Sequence, residues 1–204
     1  MITNDLFDDQ NSCYQIDLPD ADICLYPCFI NADEADYFLK ELMHHIKWSE
    51  HTISIYGQQH KVPRLSAWYA DDGKSYEYSG FKSQGLPWSP LLLQLKSRIE
   101  TVCNAKFNSV LVNRYRNGRD GVGWHADDEK ELGTNPVIAS LSFGQQRTFQ
   151  LKHRSNKTLK KNLLLEHGSL LIMQGETQHH WLHQIAKSTR EMDERINLTF
   201  RTVK

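Results

Sequence analysis

Residues 137–173 read VIASLSFGQQRTFQLKHRSNKTLKKNLLLEHGSLLIM, and their punctuation decides the fold. Four short apolar runs, Val137–Phe143, Thr148–His153, Asn162–Leu165 and Ser169–Met173, are each too short for a stable helix and suit strands. Turn residues such as Ser155-Asn156 separate them. Working outward, Ser109–Tyr115 lies before this block, and His179–His183 and Arg195–Thr202 lie after it. Asn117-Gly118, Gly133-Thr134-Asn135-Pro136 and Gly175-Glu176 mark further loops. Seven or eight strands are therefore expected after residue 106.

Upstream the period changes. From Asn31 to about Ile46, Phe38, Leu39, Leu42 and Ile46 recur at helical spacing, with Asn31 or Asp33 as cap. A second helix is expected from Pro90 to about Asn104, capped by Ser89, with Leu92, Leu95, Ile99 and Val102 as its stripe. Between them His51–Ala70 reads as a hairpin turning at Tyr56-Gly57. The pattern predicts an α+β fold: a double-stranded β-helix (jelly roll) with N-terminal helices packed on one sheet. Residues 1–20 read as a loose leader and 21–204 as one domain, since neither repeat nor linker interrupts the chain.

Composition sets limits. Hydrophobic residues make up 39% of the 204 positions and aromatics 10%, which excludes a disordered or fibrous chain. No apolar run approaches the roughly 18 residues of a membrane helix, so no membrane partner is expected. The net charge of −1 does not by itself point to nucleic acid. Phosphate contacts would have to come from a local cluster such as Lys152, His153, Arg154, Lys157, Lys160 and Lys161. The four cysteines form neither a zinc pattern nor a disulfide framework, which suits a reducing, cytoplasmic location.

Residues 123–129, GWHADDE, carry the first chemical signal. In extended chain His125 and Asp127 point the same way. A histidine from a distant strand would complete a two-histidine, one-carboxylate triad, the arrangement of non-haem iron(II) oxygenases with open positions for co-substrate and dioxygen. HHWLH, residues 179–183, offers that histidine, although chemistry alone does not choose among His179, His180 and His183. In RINLTFR, residues 195–201, alternation puts Arg195, Asn197, Thr199 and Arg201 on one face. Arginine at both ends of a polar strand face suits a dicarboxylate. A serine hydrolase is disfavoured, because no G-x-S-x-G elbow occurs.

Five stretches then resemble the AlkB-type dioxygenases that repair alkylated nucleic acids: 62–80, 113–133, 136–154, 167–183 and 195–201. The shared pattern is N-x-Y-x-x-G…H-x-D…H…R-x-N-x-T-x-R. The ten-residue step from Tyr115 to His125, and the Asp-Asp-Glu that follows, look closest to the animal-type DNA repair branch. The resemblance implies His125, Asp127 and His183 as iron(II) ligands, the match within HHWLH falling on His183. It implies that Arg201 pairs with the distal carboxylate of 2-oxoglutarate, and that Arg195, Asn113, Tyr115 and Thr199 complete that pocket.

For the base, the resemblance implies stacking on Tyr76, with Tyr78 beside it and Glu129 or Asp128 reading the base edge. Tyr56 matches the tip of a hairpin that carries an intercalating aromatic in duplex-acting relatives; nucleotide-recognition hairpins are thus expected at about 50–80. The implied activity is oxidative demethylation of N-alkylated bases such as 1-methyladenine and 3-methylcytosine, coupled to decarboxylation of 2-oxoglutarate with dioxygen. The expected partner of this monomer is alkylated DNA, with RNA left open. The alternatives are a same-fold oxygenase acting on a protein or small molecule, and a non-catalytic nucleic-acid binder.

Overall fold

The computed structural model describes residues 12–55, 58–72, 75–78 and 81–204, with side chains described at all of these except 53–55, 75–78 and 81–84. Two antiparallel sheets form the frame of the fold. The larger contains, in chain order, β1 (Tyr14–Gln15), β2 (Asp22–Tyr26), β3 (Ser49–Ile55), β4 (Gln58–Ala70), β7 (Ser109–Tyr115), β9 (Ile138–Gly144), β12 (Leu170–Gln174) and β14 (Arg195–Arg201). Its spatial order is β1-β2-β12-β9-β14-β7-β4-β3. The smaller contains β8 (Val122–His125), β10 (Arg147–His153), β11 (Lys160–Leu165) and β13 (Trp181–Ile185), in the order β11-β10-β13-β8. A separate hairpin pairs β5 (Ser75–Tyr78) with β6 (Phe81–Gln84). This mostly antiparallel arrangement is compatible with a jelly roll.

Strand β14 shows how alternation builds the molecule. Ile196, Leu198 and Phe200 are fully buried in a cluster with Phe38 and Leu42 of α1 (Ala32–His45) and Leu92, Leu95 and Ile99 of α2 (Pro90–Ile99). Phe38 lies 5.9 Å from Phe143, and the Trp88 ring stacks 6.4 Å from Phe200. The alternate residues Arg195, Asn197, Thr199 and Arg201 face the other way, as the sequence pattern predicts. The second cluster, with Phe149, Leu151, Leu163, Leu165 and Trp181 from the smaller sheet, also takes in Trp68, Tyr115, Ile138 and Met173 from the larger. Burial of two such clusters drives the collapse.

Asn31, not Asp33, caps α1: its side chain accepts from the Glu34 amide at 3.0 Å and donates to the Glu34 carboxylate at 2.8 Å. Ser89 caps α2 through the Leu92 amide. That helix stops at Ile99 rather than at Asn104. The Thr101 and Val102 amides bond to carbonyls three residues back, and the Glu100 carboxylate accepts from the Phe107 amide at 2.8 Å. Val102, expected on the apolar stripe, is consequently 37% exposed.

Three other expectations are corrected. The leader is not loose over all of 1–20: Tyr14 pairs with Leu25, Gln15 pairs with Cys24, and the Pro19 carbonyl accepts from the Trp181 indole at 2.9 Å. The same register brings Cys13 to Cys24 with their sulfurs in contact and Cα atoms 5.8 Å apart, the span of a disulfide. Residues 179–183 are not one strand, because Thr177–His180 form a helical turn (α3) before β13 begins.

A candidate metal centre between the two sheets

Hydrogen bonding across one strand pair assembles the centre. In the register of β13 against β8, His183 faces His125, and their rings lie 4.3 Å apart. Asp127 follows two residues after His125. One ligand atom from each of His125, Asp127 and His183 falls within a single group whose members are all within 4.8 Å of one another. Within HHWLH it is therefore His183 that joins the pair. The ring of Phe149 stacks on His183 at 5.0 Å and fixes its plane.

The protonation states suit a metal. The Nδ1 of His125 lies 2.8 Å from the Gly123 carbonyl, which can only accept, so Nδ1 carries the proton and Nε2 keeps its lone pair. Burial, opposed by the Asp127 carboxylate, pushes His183 down to about 3, so it is neutral at pH 7. Burial alone would raise Asp127, but the charge and hydrogen bond of the Arg201 guanidinium help hold the carboxyl below its ordinary value. Two neutral imidazoles and one carboxylate are the donors iron(II) takes in a facial triad. Asp127 is oriented from two sides: Oδ1 accepts from Arg201 at 2.6 Å, and its amide donates to the Gln178 side chain at 2.9 Å. Its other oxygen, Oδ2, remains to serve as a ligand.

Beside this centre the polar face of β14 lines the same cavity as Asn113, Tyr115, His125, Asp127 and His183. Arg195 is 1% exposed. Its Nη2 donates to Asn197 at 2.7 Å and to Ser142 at 2.9 Å, and its guanidinium lies 5.2 Å from the centre of the Tyr115 ring. Burial pushes it down to about 10, so it stays charged at pH 7. Its Nε and Nη1 are buried without a hydrogen-bond partner. A buried cation with two unmet donors is costly unless an anion arrives, and a carboxylate presents two oxygens to such a fork. Thr199 accepts from Asn197 at 3.0 Å, and Asn113 accepts from Arg64 at 3.0 Å.

This sequence matches the 2OG-Fe(II) oxygenase superfamily over residues 22–201. The chain belongs to that superfamily. Iron(II), 2-oxoglutarate and dioxygen are what its members use, and the donor set described above fits them. Among similar curated proteins, alpha-ketoglutarate-dependent dioxygenase alkB homolog 3 of Homo sapiens is 40% identical over 207 residues, covering 96% of this chain and 72% of that protein. The DNA oxidative demethylase ALKBH2 of Bos taurus is 36% identical over 190 residues, covering 88% of this chain and 68% of that protein. The solved structure of OsALKBH1 superposes with a TM-score of 0.63 at 16% identity, covering 92% of this chain and 99% of that one, which shows the shared fold.

The base-binding candidates of this superfamily member divide into three groups. Tyr76 and Tyr78 lie on β5, opposite Ser83 and Phe81 of β6, and their side chains are outside the described ones. Tyr56 lies outside the described residues; β3 and β4 on either side of it form the expected antiparallel hairpin. Asp128 and Glu129 are not among the residues lining the cavity, and Asp128 pairs with Arg154 at 2.5 Å.

Two contributors were not singled out from the sequence. Arg64 lines the cavity, and its position in phase with Ser66 and Trp68 on β4 was the available signal. Gln178 gave none, since it lies just ahead of the strand expected from His179. A second histidine group, Asp20, His153 and His180, also has ligand atoms within 4.8 Å. There the His153 Nδ1 accepts from the Asn156 amide at 3.0 Å, which leaves the proton on Nε2, 3.3 Å from Asp20. That imidazole holds Asp20 in place and offers no lone pair to a metal.

Proposed function

We propose that this chain removes alkyl groups oxidatively from damaged DNA bases, with 1-methyladenine and 3-methylcytosine as the expected lesions. The observation that carries the reading is the convergence of His125, Asp127 and His183 beside a buried Arg195 with two unmet donors. The similarity to alkB homolog 3 and to the DNA oxidative demethylase ALKBH2 supports the substrate class.

In this reading His125, Asp127 and His183 hold iron(II), which, with 2-oxoglutarate and dioxygen, supplies the oxidation. Arg201 and Gln178 fix the Asp127 carboxylate. Arg195, rather than Arg201, receives the distal carboxylate of 2-oxoglutarate: Arg201 is committed to the Asp127 carboxylate at 2.6 Å, whereas Arg195 donates to the neutral side chains of Ser142 and Asn197. Tyr115, Asn113 and Thr199 line the space between. Phe149, Met173 and Ile185 form the apolar wall that keeps bulk water from the centre. Tyr76, Tyr78 and Tyr56 remain the proposed base contacts, with Asp128 and Glu129 at the rim. The two sheets are read as the halves of a double-stranded β-helix, with α1 and α2 packed on the larger. An alkylated base pairs poorly and is extruded at lower cost than a normal one, so part of the selectivity comes from the lesion.

The test is incubation with oligonucleotides carrying 1-methyladenine or 3-methylcytosine, iron(II) and 2-oxoglutarate, with mass spectrometry of the bases. Loss of the methyl mass with stoichiometric succinate is expected. Turnover of 2-oxoglutarate with the methyl groups intact would instead assign a protein or small-molecule substrate to the same centre.

A further inference from the structure

Beyond the cavity, the outer face of the smaller sheet has an unusual charge distribution. The chain as a whole has 24 lysines and arginines against 25 aspartates and glutamates. Yet β8, β10, β11 and β13 together hold Arg147, Lys152, Lys160 and Lys161 and not one acidic residue. Arg147 points inward and is buried, and Lys161 is in register with the inward-facing Leu151, so Lys152 and Lys160 carry the charge of the outer face.

At the edge of that face stands Trp124. Between the pairs His183–His125 and Ile185–Val122, β8 spends one residue more than β13. This bulge keeps Val122 and His125 on the cavity side while Gly123 and Trp124 turn outward together. Bulges next to active sites commonly re-aim a side chain in this way. Trp124 is 39% exposed. Its ring is held by the Lys152 ammonium, 4.2 Å from its centre, reaching across β13. A Cβ placed on Gly123 would meet nothing within 4 Å, so the backbone beside the ring is open. Gln184 lies between Trp124 and Gln150, donating to Gln150 at 2.6 Å, and Lys160 lies opposite Lys152.

We propose that this outer face is a second binding surface for single-stranded DNA, holding the nucleotides next to the lesion. The inference rests on the proposed function above. An exposed aromatic flanked by lysines on an acid-free sheet is the combination that binds single strands without reading sequence: bases stack on the ring and ammonium groups neutralise phosphates. The position explains why it would be needed. His125 and Trp124 are consecutive, with Cα atoms about 3.8 Å apart, and they face opposite sides of an edge strand. A DNA strand that delivers one base to the cavity beside His125 brings its neighbour around that edge onto Trp124.

The probe is an unmethylated oligodeoxythymidylate of about a dozen nucleotides, roughly one single-strand site, titrated onto the iron-loaded full chain. Trp124→Ala should weaken binding by about 5- to 150-fold, the range of one base–aromatic stack. Lys160→Glu should flatten the salt dependence, removing about 0.7 from the slope of log affinity against log salt for the lysine lost. Turnover of 2-oxoglutarate without nucleic acid reads the metal centre alone and should stay at the wild-type rate in both. If Trp124→Ala also lowers that turnover, Lys160→Glu decides, since it lies on the far edge strand. Unchanged affinity and salt slope in both variants would overturn the proposal even if the wild type demethylates DNA. Trp124-dependent binding without demethylation by the wild type would leave this surface standing and sink the proposed activity.

Discussion

Replacing Arg195 by methionine probes the co-substrate pocket at the residue proposed to receive the distal carboxylate. The side chain is 1% exposed, and its Nε and Nη1 have no partner in the free protein. If these donors receive the distal carboxylate, deleting them leaves a carboxylate buried and unpaired. Truncating one side of a buried charge pair costs about 2–5 kcal/mol, or about 30- to 5,000-fold in affinity for 2-oxoglutarate. The same change should barely affect the stability of the free protein. It removes a buried cation, which favours folding, and it removes the bonds to Ser142 and Asn197, which opposes it; the net change should be within roughly 1 kcal/mol. The assay is succinate formation against 2-oxoglutarate concentration, alongside thermal melting without co-substrate. Arg201→Met should act on iron affinity instead, through Asp127. If Arg201→Met raised the 2-oxoglutarate requirement while Arg195→Met left it unchanged, the assignment of the distal carboxylate to Arg195, based on the commitment of Arg201 to Asp127, would be refuted.

Other predictions concern the supports of the centre. Gln178→Leu removes the acceptor of the Asp127 amide and should weaken iron binding by about 10- to 100-fold, as loss of an outer partner does; unchanged metal affinity would show that Asp127 needs no such hold. In the metal-free protein His183 stays neutral down to about 3 while the unfolded chain protonates near 6.5. The unfolded state therefore binds more protons between those values, and stability should fall as pH drops from 7 to 5. Urea unfolding at the two pH values should show a smaller fall in His183→Leu; equal falls would contradict the buried, neutral imidazole. Gly168 has φ +78°, and a Cβ there would strike the Ile30 carbonyl. Gly168→Ala should destabilise by more than about 1 kcal/mol, read as a lowered denaturant midpoint with activity per folded molecule retained.

The parts of this fold that were legible in the sequence are those with a strong period. β14 appears with the expected alternation, β7 with the expected bounds, and α1 with one of its two expected caps, because each buries a face against the core and register cannot slip without exposing it. The iron ligands were legible as residue types and spacing, but the choice of His183 over His179 and His180 came from pairing across 58 positions of chain, His183 against His125. What local pattern concealed was set by tertiary contacts. Asp22–Tyr26 is a strand because β12 pairs with it, and Tyr14–Gln15 then adds to its edge. The helical turn at Thr177–His180 is fixed by Thr177 hydroxyl contacts to Gln174 and Asp22. The roles of Arg195 and Arg201 were indistinguishable by type; only the place of Asp127 separates them.

Ferrous ion binding to the metal-free protein, followed by calorimetry under anaerobic conditions, tests the central claim most directly. One ion per chain is expected, with binding abolished or weakened at least about 100-fold in each of His125→Ala, Asp127→Ala and His183→Ala. Full-affinity binding retained by any one of the three would mean that these side chains, though gathered within 4.8 Å, do not jointly hold the metal.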